Sequence, residues 1–256
     1  MQTPSIIEML KAGVHFGHQT GKRHPKMIPY IFTVRSGVHI INLEETARLL
    51  QEAANFARDM AKKKGTLLFV GTKKQTQEKV ANFAKSCGMP YITERWIGGL
   101  LTNFSIVKQR IKQYRVWKEQ RELGSWDKYT KKEQLILTKK FERLEKLFSG
   151  VANLDTDPDA VILVDLKREK TALREARKQH IPLISLCDTN TNPSLIDHPI
   201  PANDDAIKSV ELILQTLTDA INEGRKLQEQ SVAANPVARE SKSAQKAVFP
   251  KEITEA

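Results

Sequence analysis

Cysteine is scarce in this 256-residue chain: there are two, Cys87 and Cys187, far apart and in no Cys-x-x-Cys pair. That excludes a disulfide-stapled secreted domain and a cysteine-rich zinc module, and it fits a reducing cytosol. No run of about 18 apolar residues exists to span a bilayer. Met1 to Leu10 lacks the basic-then-apolar layout of a signal peptide. Aromatic residues make up only 6%. Acidic residues are the minority, 30 against 41 basic, for a net charge of +11. Hydrophobic residues still amount to 40%, enough for one large domain or two small ones, which excludes a disordered or collagen-like chain.

The basic excess is uneven. Residues 1–30 carry +3, residues 31–104 carry +5, and residues 105–150, with 13 basic and 6 acidic side chains, carry +7. Residues 151–226 carry −4, and the last 30 residues balance at zero. The first 150 residues therefore look built to meet a polyanion and the next stretch does not. The plainer alternative is a solvated basic face.

Hydrophobic periodicity predicts alternating strands and helices. Thr3-Pro4 opens a short amphipathic helix with Ile6, Ile7 and Leu10. A polar, basic loop bearing glycine and histidine follows, from His15 to Pro29. Val38 to Leu43 reads as a strand. From Glu44 the period changes: Ala47, Leu50, Ala54 and Ala57 form the stripe of a helix that ends at Lys62-Lys63-Lys64-Gly65, with Gly65 as its left-handed stop. Thr66–Val70, Tyr91–Glu94, Ala160–Asp165 and Pro182–Asp188 read as strands. Gly71-Thr72-Lys73-Lys74 turns into a helix with Val80, Phe83, Ala84 and Cys87 on its apolar face and Gly88 as its stop, and Thr171–Gln179 and Ala206–Lys226 read as helices. Unbroken apolar strands alternating with helices predict an α/β domain with a parallel sheet covered on both sides.

Residues 104–149 interrupt that alternation. Phe104, Val107, Ile111 and Tyr114 form one seam, and Leu137, Phe141, Leu144 and Phe148 another, across a turn-rich stretch at Leu123–Asp127. Thr130-Lys131-Lys132-Glu133 has the capping-box pattern. The expected result is an antiparallel, coiled-coil-like helical hairpin inserted into an α/β domain formed by residues 1–103 and 150–226. Residues 227–256 lose the periodicity and read as a disordered tail.

Four constellations bear chemistry. Gly71-Thr72-Lys73-Lys74 follows a strand and opens a helix, so it suits either a phosphate contact or a plain capped turn. It lacks the Walker spacing, which excludes nucleotide hydrolysis there. His15, His18 and His24 share a loop with Lys22, Arg23 and Lys26; metal binding and polar loop contacts are both open, and the basic mix suits a nucleic-acid backbone. Glu94, Asp165 and Asp188 end strands, and Asp204 and Asp205 precede the last helix. Asp188, Asp204 and Asp205 are candidate Mg²⁺ ligands, with capping as the alternative. Arg95-Trp96-Ile97-Gly98-Gly99 either stacks on a base or packs at the root of the hairpin.

Taken together and in order, His15-Phe16-Gly17-His18-Gln19-Thr20, Val38-His39-Ile40-Ile41-Asn42-Leu43-Glu44, Gly71-Thr72-Lys73-Lys74-Gln75, Arg95-Trp96-Ile97-Gly98-Gly99 and Pro158-Asp159-Ala160-Val161 resemble the bacterial-type ribosomal protein S2 family, from about Ser5 to Lys226. The resemblance implies a flavodoxin-like three-layer core with an inserted coiled-coil hairpin. It further implies binding of small-subunit ribosomal RNA between head and body, late entry into the particle, and help in retaining the large OB-repeat protein that captures messenger RNA. Other small-subunit proteins are implied as partners, and no enzymatic activity. Where the family usually has Trp-Asn before Pro-Lys-Met, this chain has Arg23-His24, a guanidinium in place of an aromatic ring.

The candidate RNA contacts begin with Lys22, Arg23 and Lys26 of the loop, together with Arg35. Lys73 and Lys74 follow at the first turn, then Arg95 and Trp96. On the hairpin they are Lys108, Arg110, Lys112, Arg115, Lys131 and Lys132. The expected location is the ribosome in the cytoplasm, with a plastid-encoded origin left open. The competing reading is a Mg²⁺-dependent α/β enzyme acting on a phosphorylated small molecule, using the strand-end carboxylates. It gives no reason for seven net charges on a hairpin.

Overall fold

A computed structural model describes residues 3–233, with side chains through residue 230. Helix α1 (Ile6–Ala12) starts at Ser5, not at Thr3: Ser5 and Glu8 close a capping box, with the Glu8 amide donating to Ser5 Oγ at 3.3 Å. The stretch expected to be a loop instead contributes strand β1 (Phe16–Gln19) and two short 3-10 helices, Thr20–Lys22 and Pro25–Tyr30, and strand β2 (Ile31–Arg35) follows it. Strand β3 (Val38–Ile41) lies where expected but pairs antiparallel between β1 and β2 in its own three-stranded sheet. The β2–β3 turn is Ser36-Gly37, both left-handed (φ 50° and 76°), as a tight hairpin requires.

Helix α2 (Leu43–Lys62) is capped by Asn42, whose Oδ1 accepts from the Glu44 amide at 3.0 Å. Its left-handed stop is Lys64 (φ 64°), one residue before the expected glycine. The Gly65 amide then closes back on the Met60 carbonyl at 2.9 Å. Strand β4 (Leu67–Val70) leads through a turn to helix α3 (Gln77–Ser86); Lys73 and Lys74, expected to open the helix, lie in that turn. Strand β5 (Tyr91–Ile92) precedes α4 (Phe104–Glu122) and α5 (Lys131–Phe148). Then come β6 (Ala160–Leu163), α6 (Lys170–Lys178), β7 (Leu183–Cys187), β8 (His198–Pro201) and α7 (Ile207–Ala233). Helix α7 runs past Lys226, so the expected tail starts too early; the rest of that expectation lies outside the described residues.

Strands β5-β4-β6-β7-β8 form one five-stranded, all-parallel sheet in that order. Counted along the chain the order is 2-1-3-4-5, that of doubly wound sheets of the flavodoxin type. β8 escaped the sequence reading because it is His-Pro-Ile-Pro; a strand with two prolines is tolerated only at an edge, where β8 sits. Side chains alternate cleanly. Leu67, Phe69, Ile162 and Ile184 face a layer built from α2, α3 and α7. Leu68, Val70, Val161 and Leu163 face α6 and the root of α4 and α5. Both cysteines are free and buried, and burial pushes their thiols up, to about 11 for Cys87 and about 12 for Cys187.

Helices α4 and α5 pack on each other. Tyr114 stacks on Phe141 with ring centroids 5.7 Å apart, and Trp126 meets the same ring edge-on at 5.9 Å. Of the two expected seams, Val107, Ile111, Tyr114, Phe141 and Phe148 are buried; Phe104, Leu137 and Leu144 are half-buried. Thr130 and Glu133 form the capping box. The pair is rooted where the chain leaves α5: a Cβ on Gly150 would overlap the Tyr91 carbonyl oxygen and lie 2.7 Å from the Tyr91 ring. We expect Gly150→Ala to cost about 2 kcal/mol, lowering the thermal midpoint by about 5 °C, because the obstructing atom is backbone and cannot swing away. A midpoint within 1 °C of wild type (well under the few degrees expected per kcal/mol) would show that the contact is loose.

Candidate nucleic-acid interface

A parallel sheet brings the carboxyl end of every strand to one edge. Here that edge gathers Asp165 after β6, Asp188 after β7, and Asp204 and Asp205 after β8. Lys73, at the turn after β4, reaches into the group. Its Nζ lies 3.3 Å from Asp204 Oδ1 and 3.8 Å from Asp165 Oδ2, donates to the Asp204 carbonyl at 3.0 Å, and pairs with Asp205. From β1, His18 Nδ1 meets Asp188 Oδ1 at 3.0 Å, and its Nε2 lies 3.6 Å from Asp205. The acidic residues proposed as Mg²⁺ ligands therefore already hold an ammonium and an imidazole. Among the described residues no group of three or more His, Cys, Asp or Glu side chains is arranged to hold a metal ion.

The three-stranded sheet lies across this edge. Thr189 is the hinge pin: its Oγ1 accepts from the His18 amide at 2.9 Å, and its carbonyl accepts from the His24 amide at 2.8 Å. The approach is so close that a Cβ on Gly17 would come within 2.5 Å of Thr189 Cγ2. Asn203 adds a second tie, its amide donating to the Val14 carbonyl at 3.1 Å. His24 Nδ1 accepts from the Lys26 amide at 3.2 Å, so this histidine holds the loop's own turn. Around β7 and β8 the carboxyl edge is thus covered by the chain itself, while a cavity of about 450 Å³ lined by Thr72, Glu94, Arg95, Trp96, Arg168 and Glu169 stays open beside the ends of β4, β5 and β6.

The candidate RNA contacts sort into two sets. Lys73 belongs to the ion cluster. Trp96 is buried, and its indole N–H donates to Glu175 Oε1 at 3.0 Å, while the Gly99 and Leu101 amides donate to the same carboxylate at 2.9 and 3.2 Å. Of the two readings of Trp96, packing at the hairpin root is the one these contacts describe. Lys108 and Arg115 are tied down as well. Lys108 Nζ donates to the Asp155 carbonyl; Arg115 bonds the Ala152 carbonyl and pairs with Asp155 at 3.0 Å.

The second set is exposed. Lys22, Arg23, Lys26, Arg35, Lys74, Arg95, Lys112, Lys131 and Lys132 lie at the surface, and among the described residues none of their side chains is in a hydrogen bond or ion pair. Arg110 is exposed and donates only to Gln113, at 3.2 Å. Sequence reasoning missed Thr189 and Glu175, whose partners lie more than 70 residues away. Nothing in the local pattern marks either one.

Residues 9–224 match the family model for ribosomal protein S2. Among curated relatives, the small ribosomal subunit protein uS2 of Coprothermobacter proteolyticus is 47% identical, over 88% of this chain and 84% of its own. That of Nitratiruptor is 45% identical, covering 89% and 85%. That of Campylobacter lari is 44% identical, covering 93% and 92%. These relatives are named as ribosomal proteins, not as enzymes.

The ion cluster gives this fold a pH dependence. Burial, together with Asp188 and Asp165 nearby, raises the Asp204 carboxyl to about 7, with Lys73 opposing. Between the unfolded value of 3.8 and about 7, the folded chain keeps a proton that the unfolded chain has released. Stability therefore falls as pH rises through that window. His18 is also raised, by its hydrogen bond to Asp188. Its contribution is complete below 6.5 and is lost as pH climbs through the folded value. Asp205 is lowered by Lys73, with His18 and Lys22 adding, so its share is lost only in acid. The thermal midpoint should drop by about 5 °C from pH 5.5 to pH 8, and Asp204→Asn should remove most of that drop. A midpoint that rises or stays level over this range would contradict the assignment.

Proposed function

Because the chain belongs to the ribosomal protein S2 family, we propose that it is a structural constituent of the small ribosomal subunit that binds ribosomal RNA through the exposed cations of the 22–35 segment and of the α4–α5 pair. The observation that carries this reading is the sorting of basic side chains. Lys73, Lys108 and Arg115 are held by partners within the fold, whereas Lys22, Arg23, Lys26, Arg35, Lys74, Arg95, Lys112, Lys131 and Lys132 are exposed and, among the described residues, in no hydrogen bond or ion pair. Unpaired Lys and Arg on a loop and a protruding helix pair suit phosphates, whose neutralisation releases counterions.

In this reading residues 104–149 form a coiled-coil arm on the domain made by residues 1–103 and 150–226. The RNA lies between head and body of the subunit, and the chain works on ribosomes in the cytoplasm. It also helps retain the OB-repeat protein that captures messenger RNA. The exposed apolar side chains Ile7 and Leu10 of α1, 67% and 54% accessible, support a protein partner on that side. No cofactor is required. The competing enzyme loses its site, since the carboxylates it needs are occupied by Lys73 and His18.

The test is charge removal on the arm. The full chain carrying Arg110→Gln, Lys112→Gln, Lys131→Gln and Lys132→Gln should bind small-subunit ribosomal RNA with a salt slope shallower by about 3 to 4. It should also enter small subunits at reduced occupancy, read from sucrose-gradient fractions. An unchanged slope and full occupancy would move the RNA contact away from the arm.

A further inference from the structure

A cavity of about 550 Å³ opens between α6 and the connection from β7 to β8. Four cations line it: Lys167, Lys170, Arg174 and Arg177. Their spacing of 3, 4 and 3 puts them on one side of α6 and the turn before it. All four are exposed, and among the described residues none is in a hydrogen bond or ion pair. The carboxylates of the same stretch point elsewhere. Glu169 accepts from the Thr72 amide at 3.1 Å, and Glu175 holds Trp96, Gly99 and Leu101. No acidic side chain lines the cavity.

The rest of the lining is neither cationic nor inert. Leu166 and Leu173 are buried and, with Leu195, give the cavity an apolar floor. Asn190 lines the cavity, and its Oδ1 is buried without a hydrogen-bond partner. Asn192 uses its Oδ1 on the Ser194 amide at 3.2 Å, which leaves its NH₂ group to donate. An apolar floor, one acceptor and one donor, rimmed by a row of cations, match a nucleobase joined to its phosphates. A duplex edge cannot enter such a cavity, whereas an unstacked base can.

We infer that the cavity beside α6 receives one unpaired nucleotide of RNA, with flanking phosphates on Lys167, Lys170, Arg174 and Arg177 and the base over the leucine floor, its edge on Asn190 and Asn192. The inference rests on the reading of the chain as an RNA-binding ribosomal protein, and it assigns contacts outside the basic loop and arm.

The experiment uses the full chain and three probes: a single-stranded oligouridine of 12 nucleotides, a 12-base-pair RNA duplex, and small-subunit ribosomal RNA. Lys170→Gln with Arg174→Gln should weaken oligouridine binding about tenfold and flatten its salt slope by about 1.4, the share of two single-strand phosphates. Asn190→Leu should weaken oligouridine binding with the slope unchanged and leave duplex binding as it was. If the arm variant loses ribosomal RNA affinity while both α6 variants bind oligouridine as wild type does, the cavity inference falls and the proposed function stands. Equal losses on duplex and oligouridine for Asn190→Leu would overturn the unpaired nucleotide. A wild-type chain that binds none of the three probes would overturn both readings.

Discussion

The arrangement around Lys73 is the constraint on which the rest of the molecule depends. Parallel pairing is obligatory here because the strands are apolar on both faces and must be covered by helices on both sides. The same pairing collects the polar strand ends at one edge. In this chain those ends are carboxylates, and Asp188 and Asp204 are almost fully buried. Buried anions without compensation are strongly destabilising. One ammonium from the turn after β4 reaches carboxylates after β6 and β8, so Lys73 ties three strands of the sheet together at the end where no helix does so.

His18 completes the compensation, and it comes from outside the sheet. Holding Asp188 requires β1 to lie against the strand ends, which brings Gly17 onto Thr189. The three-stranded sheet is therefore positioned by the charge requirement of the five-stranded one. The consequence for function is topological. With the β7–β8 part of the carboxyl edge covered by the chain itself, exposed basic side chains remain on the outer surfaces: the 22–35 segment, the helix pair, and the outer side of α6. A fold that elsewhere hosts small-molecule chemistry becomes a scaffold that presents basic side chains in several directions.

Most of the architecture was legible because it is written in local periodicity. The buried strands β4, β6 and β7, the stripe of α2, and the seams of α4 and α5 all follow from spacing alone. What escaped has specific causes. β1 is Phe-Gly-His-Gln, without alternation, and it is held by a histidine amide bonded to Thr189, 171 residues away. β8 has proline at two of four positions and was hidden by the edge exception. The start of α3 was placed early because Gly-Thr-Lys-Lys reads like a phosphate-binding turn. In fact Lys73 is drawn into the ion cluster and the helix begins only at Gln77. The site was legible as a surplus of charge and illegible as a division of labour: Lys73, Lys108, Arg115 and Trp96, which the fold uses, have the same residue types as the candidates left at the surface.

The division of labour also explains why net charge misleads in the second half of the chain. Residues 151–226 sum to −4, which argues against a polyanion there. Yet five of the 13 acids of that stretch are used by the fold: Asp188 and Asp204 face the ion cluster, Asp197 accepts from the Leu183 amide, and Glu169 and Glu175 accept backbone donors. A carboxylate whose oxygens are held by backbone amides is not the ion-pair partner of a surface cation. Lys167, Lys170, Arg174 and Arg177 therefore act at the surface as an uncompensated row. The quantity that decides where a polyanion binds is the charge that remains after the fold has used its share, and on that measure the outer side of α6 ranks with the arm.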